Sequence, residues 1–106
     1  MDKTDRELLE LAAKAAGIEY RPECGYRVTG IGATGMPMLE SWNPLTDDGD
    51  TLRLEVALKD QIKVYWSTIW KKWVAETNER IIRDDDRKRC SVRAAAAIGS
   101  AMGEKL

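Results

Sequence analysis

The sequence contains no histidine among its 106 residues. Without histidine, Ser-His-Asp and Cys-His nucleophilic sites are excluded, and so are zinc and iron sites that use imidazole ligands. Enzymatic chemistry would have to rest on carboxylates, lysine, tyrosine, cysteine or a bound metal. These residue types form no recognisable catalytic pattern along the chain. The sequence therefore predicts a protein that is not an enzyme and that uses no cofactor.

Cysteines and long apolar runs are also scarce. Cys24 and Cys90 are the only cysteines, and they form neither a CxxC pair nor a disulfide framework, which favours free thiols in a reducing compartment. No apolar run approaches the roughly 20 residues of a membrane span. The polar start of the sequence, residues 1–5, indicates no signal peptide. We therefore expect a cytoplasmic protein without a membrane partner.

An excess of basic charge is missing as well. The chain carries 17 basic and 18 acidic residues, a net charge of -1, whereas nucleic-acid-binding proteins usually show a basic excess or a basic face. Hydrophobic residues make up 43% and charged residues 33%, which is typical of a globular protein. The length predicts a single small domain over residues 1–106.

Three helices are indicated by capping residues and helical periodicity. Thr4 and Glu7 form a capping box ahead of a helix over 5–16, and Gly17 stands where a left-handed residue would end it. Thr46 is expected to cap a second helix over 47–59, whose apolar face would include Leu52 and Val56. The third helix is predicted over about 85–102, after three consecutive aspartates.

The sequence patterns for strands are shorter than those for helices and allow more than one interpretation. Tyr26, Val28 and Ile31 suggest one short strand, and residues 36–42 read as either a second extended segment or a loop. Residues 61–78 alternate in the manner of a β-hairpin with a turn over 67–71, although one tryptophan-faced helix fits the same residues. We favour the hairpin. The predicted fold is α+β, with three helices packed on a small, mostly antiparallel sheet in the order α-β-α-β-β-α.

Two patterns that resemble known sites have simpler explanations. Residues 30–35 match GxGxxG, but no helix opens inside the motif as dinucleotide binding requires, so we expect a loop or bulge. Asp47, Asp48 and Asp50 could form a carboxylate metal site for an enzyme, which is the least favoured function. Their spacing fails the calcium-loop pattern, and helix capping explains them. The aspartates at 84–86 are likewise expected to begin a helix.

The strongest candidate site is a cluster of tryptophans and lysines. The sequence has four tryptophans and no phenylalanine, so tryptophan would be expected to fill part of the core. In a hairpin, however, alternation prevents all the clustered indoles from being buried together. Tryptophan is enriched at protein interfaces, and aromatic rings beside lysines also suit nucleic acids. The predicted partner-binding residues are Trp66, Trp70, Lys71, Lys72 and Trp73.

The last helix carries two further features. Its start is basic, and the residues that could contact nucleic-acid phosphates are Arg83, Arg87, Lys88 and Arg89. A salt-bridged surface is the more ordinary interpretation, since acidic residues lie nearby in the sequence. The helix is also lined by small residues from 94 to 101, which suits close packing on the sheet or against a second copy of the chain, as in a homodimer.

Three segments resemble a known group of proteins. Residues 42–54, residues 92–99 and the opening residues 5–13 resemble short proteins of tailed phages and prophages, some of which are similar to a small phage domain described as an α-β-α sandwich. The resemblance covers about half of the chain and brings no catalytic residues with it. The tryptophan-rich residues 65–86 depart from that pattern.

The expected function combines these observations. The resemblance implies an accessory protein made inside a bacterial host, and the absence of a catalytic pattern favours action by binding a host protein, for example to inhibit a defence system. Nucleic-acid binding is the alternative function. A carboxylate- and metal-dependent enzyme is the remaining one.

Overall fold

The computed structural model describes residues 4–104, with side chains up to residue 102. Three helices and six strands follow one another along the chain. The helices are α1 (Asp5–Ala16), α2 (Asp48–Ala57) and α3 (Arg87–Glu104). The strands are β1 (Tyr20–Arg21), β2 (Tyr26–Ile31), β3 (Pro37–Ser41), β4 (Lys63–Ser67), β5 (Lys72–Glu76) and β6 (Ile81–Asp84). This arrangement confirms the predicted α+β class.

The strands form two separate antiparallel sheets. The first sheet has the order β1-β2-β3 and the second has the order β4-β5-β6. The predicted hairpin over 61–78 is confirmed as β4 and β5, and residues 36–42 contain strand β3. Strands β1 and β6 were not predicted. The element order is therefore α-β-β-β-α-β-β-β-α, with three more strands than expected.

Helix α3 lies at the centre of the fold. It packs against the second sheet, against α2 and most extensively against α1. Gly99 of α3 allows this close approach, because a Cβ atom at that position would overlap the backbone carbonyl of Leu11. The small residues of α3 thus serve an intramolecular contact with α1 as well as packing on the sheet. Among the described residues, no helix is long and apolar enough to cross a membrane.

Helix α1 begins and ends as predicted. The Thr4 Oγ1 accepts a hydrogen bond from the Glu7 backbone N–H at 3.2 Å, and Gly17 adopts a left-handed φ of 72°. The N–H groups of Gly17 and Ile18 then satisfy carbonyls of the last turn, as in a helix that ends on glycine. Leu8, Leu9, Ala12 and Ala13 enter the core from this helix.

Helix α2 differs from the prediction in both its cap and its face. Its N-cap is Asp47, which accepts the N–H of Asp50 at 3.0 Å, whereas Thr46 lies in the preceding turn. The predicted apolar face was wrong at Leu52 and Val56, which are exposed, whereas Leu54 is buried. The helix ends at Ala57, two residues before the predicted end.

Helix α3 begins two residues later than predicted. Asp84 belongs to β6, and Asp86 precedes the helix, where its carboxylate accepts the Lys88 N–H at 2.9 Å and its carbonyl accepts the Cys90 N–H. The acidic run at 84–86 is thus divided between a strand end and a helix cap. Residues 30–35 cover the end of β2 and most of the turn to β3, and the register shifts between Val28 and Gly30, so the expectation of a loop or bulge is confirmed.

Candidate functional site

The β4–β5 hairpin brings the predicted partner-binding residues to one end of the second sheet. We call Trp66, Trp70, Lys71, Lys72 and Trp73 the hairpin tip. Trp66 and Trp73 are opposite each other on neighbouring strands, and their ring centroids lie 5.6 Å apart in an edge-to-face arrangement. Such aromatic pairs stabilise a sheet and fix both rings in place.

The sheet divides the three indoles between its two faces. Trp73 shares a face with Ala75 because side chains alternate along a strand, and both residues belong to or pack against the main core. Val74 points to the other face, level with Tyr65 and Arg83. Arg83 in turn lies over the ring of Trp70 at 4.0 Å. Trp70 therefore covers the outer face, while Trp66 and Trp73 lie on the helical side.

The outer face holds a small buried cluster of its own. Val74 is fully buried, although it is not part of the main core. Its cross-strand neighbours are Tyr65 and Arg83, and the stacking of Arg83 on Trp70 adds a second layer. Partial burial, with a smaller contribution from the carboxylate of Glu76, raises the pKa of Tyr65.

The turn at the hairpin tip has a fixed geometry. The Ser67 Oγ accepts the backbone N–H of Trp70 at 3.2 Å. Lys71 has a φ of 53°, a left-handed conformation that non-glycine residues rarely adopt. The Lys71 side chain is exposed. The turn therefore holds Trp70 and Lys71 in defined positions.

The cationic side chains at and beside the hairpin tip differ in whether they form ion pairs. Lys72 contacts Asp85 at 2.8 Å, and Arg87 contacts Glu55 at 2.8 Å while lying over the ring of Trp73 at 5.0 Å. The hydrogen bond that Arg87 donates to the Glu55 carboxylate raises the pKa of the Arg87 guanidinium. Among residues 4–102, whose side chains are described, Lys71 and Arg83 form no ion pair. The tip thus keeps two uncompensated positive charges.

The basic start of α3 is largely neutralised by neighbouring acids. Besides the pair between Arg87 and Glu55, Lys88 contacts Asp48 and Arg89 contacts Asp5, each at 2.9 Å. Of the four residues predicted to contact nucleic acid, Arg83 alone is unpaired within the described chain and joins the hairpin tip. This contact could not be predicted from the sequence, because strand β6 was not predicted.

The acidic residues of α2 are engaged in structural contacts. Asp50 is buried, and its two oxygens accept hydrogen bonds from the Asn43 N–H at 3.0 Å and from Arg53 at 2.9 Å. Asp47 caps the helix, and Asp48 pairs with Lys88. Where side chains are described, up to residue 102, no group of three or more cysteine, aspartate or glutamate side chains is placed to hold a metal ion.

An open cleft of about 850 Å³ lies away from the hairpin tip, beside the β5–β6 turn. Arg80, Arg89 and Arg93 contribute to its wall together with small residues of α3. Two of these arginines are engaged, because Arg89 pairs with Asp5 and Arg93 pairs with Asp84. No residue of the hairpin tip lines the cleft, although Arg89, a predicted nucleic-acid contact, does.

Comparisons with protein-family models, with curated proteins and with solved structures find no match to this chain. The function is therefore inferred from the geometry of the hairpin tip and from the sequence.

Proposed function

We propose that this protein acts by binding another protein through the hairpin tip. The observation that carries the proposal is the pair of half-exposed indoles at one end of a sheet, Trp66 at 48% and Trp70 at 44% of their surface. Both are held by ring contacts, Trp66 by Trp73 and Trp70 by Arg83. Indoles that are fixed before binding lose little conformational freedom when a partner covers them, which suits them as anchors.

The charge of the tip supports a protein partner with an acidic surface. Lys71 and Arg83 carry charges that the side chains of residues 4–102 do not pair, and carboxylates of a partner would complement them. A nucleic acid is less well suited, because Arg83 covers one face of Trp70 and the cations at the start of α3 already have acidic neighbours. The net charge of -1 also favours a protein partner over a nucleic acid.

The resemblance to short phage and prophage proteins supports a bacterial host protein as the partner. A small protein without a catalytic pattern acts on such a partner by occupying its surface. Inhibition of a host defence system is the biological role that we propose for this binding.

Tagged protein captured from bacterial lysate provides the test, with wild type compared against Trp70→Ala and the control Leu52→Ala. Leu52 is an exposed apolar residue of α2, 59% accessible, on a different element. We expect the Leu52→Ala variant to retain the same partner as wild type. Loss of Trp70 should weaken capture at least tenfold, the effect of losing an interface residue worth about 2 kcal/mol.

Circular dichroism and a denaturation curve for each variant separate loss of binding from loss of folding. Equal capture by wild type and a folded Trp70→Ala variant would contradict the proposal. Steeply salt-dependent binding to DNA or RNA that Arg83→Ala abolishes, with no protein captured, would favour nucleic acid instead.

A further inference from the structure

The first sheet forms an arm that makes little contact with the rest of the molecule. Its strands, within residues 20–41, pair with one another rather than with the helices or the second sheet. At its base, Tyr20 packs edge-to-face on the buried Trp42, with ring centroids 5.1 Å apart. Three strands with no packed face are marginal in water. We call residues 20–41 the β-arm.

The β-arm exposes apolar side chains that a folded domain normally covers. Five large apolar residues are at least 42% accessible: Tyr26, Ile31, Met36, Met38 and Leu39. Leu39 lies opposite Val28 on the face that turns away from Tyr20 and the core. By their register, Tyr26 and Ile31 share this face with Leu39, whereas Met38 lies on the opposite face. An exposed apolar surface marks a site of interaction.

The charged residues of the β-arm do not favour a partner with a net charge of either sign. Arg27 pairs with Glu40 at 3.3 Å across the two strands, and Arg21 lies 3.8 Å from Glu19. The arginines of the β-arm are thus matched locally. The partner is therefore expected to be apolar where it meets the β-arm, and equally balanced in charge.

Strand β3 leaves one edge of the β-arm open. The N–H of Trp42 bonds to Gly25, and the carbonyl of Met36 accepts the N–H of Gly32, so these residues direct backbone groups towards β2 and its turns. Backbone groups alternate along an antiparallel strand. The N–H and carbonyl groups of Leu39 and Ser41, and the carbonyl of Pro37, therefore face the open edge.

We propose that two copies of this chain associate through their β3 strands, antiparallel, with Leu39 of each copy opposite Leu39 of the other. In this register the two Leu39 residues exchange two backbone hydrogen bonds. The Ser41 N–H of each copy donates to the Pro37 carbonyl of the other, which adds two more. The two β-arms become one six-stranded sheet with a two-fold axis at Leu39.

This register fits the unusual composition of the edge. Pro37 lacks an N–H and normally discourages strand pairing, yet here only its carbonyl is needed in the two Ser41 bonds. Glu40 lies opposite Met38 of the second copy, so the two glutamates do not face each other. The Leu39 side chains meet at the axis beside Val28 on each copy and cover part of the exposed apolar face.

Substitution of Leu39 by charged residues tests the proposal, because only a two-fold symmetric interface places a residue opposite the same residue of the other copy. Leu39→Lys alone places two lysines together, and Leu39→Asp alone places two aspartates together. Each variant is expected to raise the dimer dissociation constant at least tenfold. An equal mixture of the two should recover the dimer as a heterodimer, measured by analytical ultracentrifugation and light scattering.

Ile31→Lys is the matched control, because Ile31 is an exposed apolar residue of the same arm on β2 rather than on the open edge. It should leave the dimer intact. The proposal fails if wild type is a monomer up to about 100 µM, a range in which even small interfaces associate. It also fails if the mixed variants do not associate, or if either single variant dimerises as wild type does. The hairpin tip lies on the other sheet, so these results are independent of its binding function.

Discussion

At the scale of single residues, Cys90 shows how the second sheet is attached to α3. Its side chain is completely buried, and its Sγ lies 3.5 Å from the carbonyl oxygens of Trp73 and of Ile82. The thiol thus bridges the central helix to β5 and β6. Burial, reinforced by the nearby carboxylate of Asp84, raises the pKa of this thiol to about 11.

The raised pKa of Cys90 makes stability depend on pH in the alkaline range. An unfolded thiol titrates near its ordinary pKa of 9.0, so between pH 9 and 11 the unfolded state has lost a proton that the folded state retains. Stability from this group is complete below pH 9 and decreases as the pH rises towards 11. Denaturant titrations at several pH values should show a smaller decrease for Cys90→Ala than for wild type. An identical pH dependence in both proteins would contradict this assignment.

Residue-level predictions from sequence succeeded where the determining atoms are close in the chain. Thr4 and Gly17 act as predicted, because a cap depends on neighbours within four residues. Thr46 was predicted to cap α2, but the adjacent Asp47 does so. Both residue types are good N-caps, and Asp47 is favoured here because Asp50, whose N–H it accepts, is fixed by its own bond to Asn43.

At the scale of elements, the contact between α1 and α3 depends on one glycine. Gly99→Ala would place a methyl group into the Leu11 carbonyl, so the helices must separate. Alanine favours a helix over glycine by about 1 kcal/mol, but overpacking costs about 1–3 kcal/mol. The methyl group would meet backbone rather than a flexible side chain, so the upper part of the overpacking cost applies. We expect the free energy of unfolding to fall by about 1–2 kcal/mol, as measured by urea denaturation. Gly30→Ala is the control, because no atom lies within 4 Å of a Cβ there. Unchanged or increased stability of Gly99→Ala would contradict the close contact.

The two strands that were not predicted, β1 and β6, lack a local sequence pattern. Strand β1 has two residues, and β6 has four that follow the charged pair at 79–80. Each is defined by its partner strand rather than by its own pattern. Alternation was sufficient to predict the hairpin of β4 and β5 and to show that its indoles could not all be buried together. It did not show that Arg83 would stack on Trp70, since that contact requires β6.

At the scale of the whole molecule, the sequence did not reveal that the strands form two sheets. Local patterns identify strands but not their partners, and the link between β3 and β4 passes through α2. The consequence is an uneven fold. One part is a compact body of three helices and a sheet, and the other is the β-arm, which has few contacts with that body.

This uneven packing predicts an uneven resistance to local unfolding. The β-arm has an exposed β3 and little contact with the core, whereas α3 and β5 contain fully buried residues such as Val92 and Ala75. Local opening is easiest where few apolar contacts are lost. Hydrogen–deuterium exchange on dilute protein should therefore show faster exchange for β2 and β3 amides than for α3 and β5 amides. A Trp42→Leu variant, which removes the ring contact with Tyr20 at the base of the arm, should accelerate exchange in the β-arm more than in β5. Uniform exchange across all elements would mean that the arm opens only with the rest of the fold.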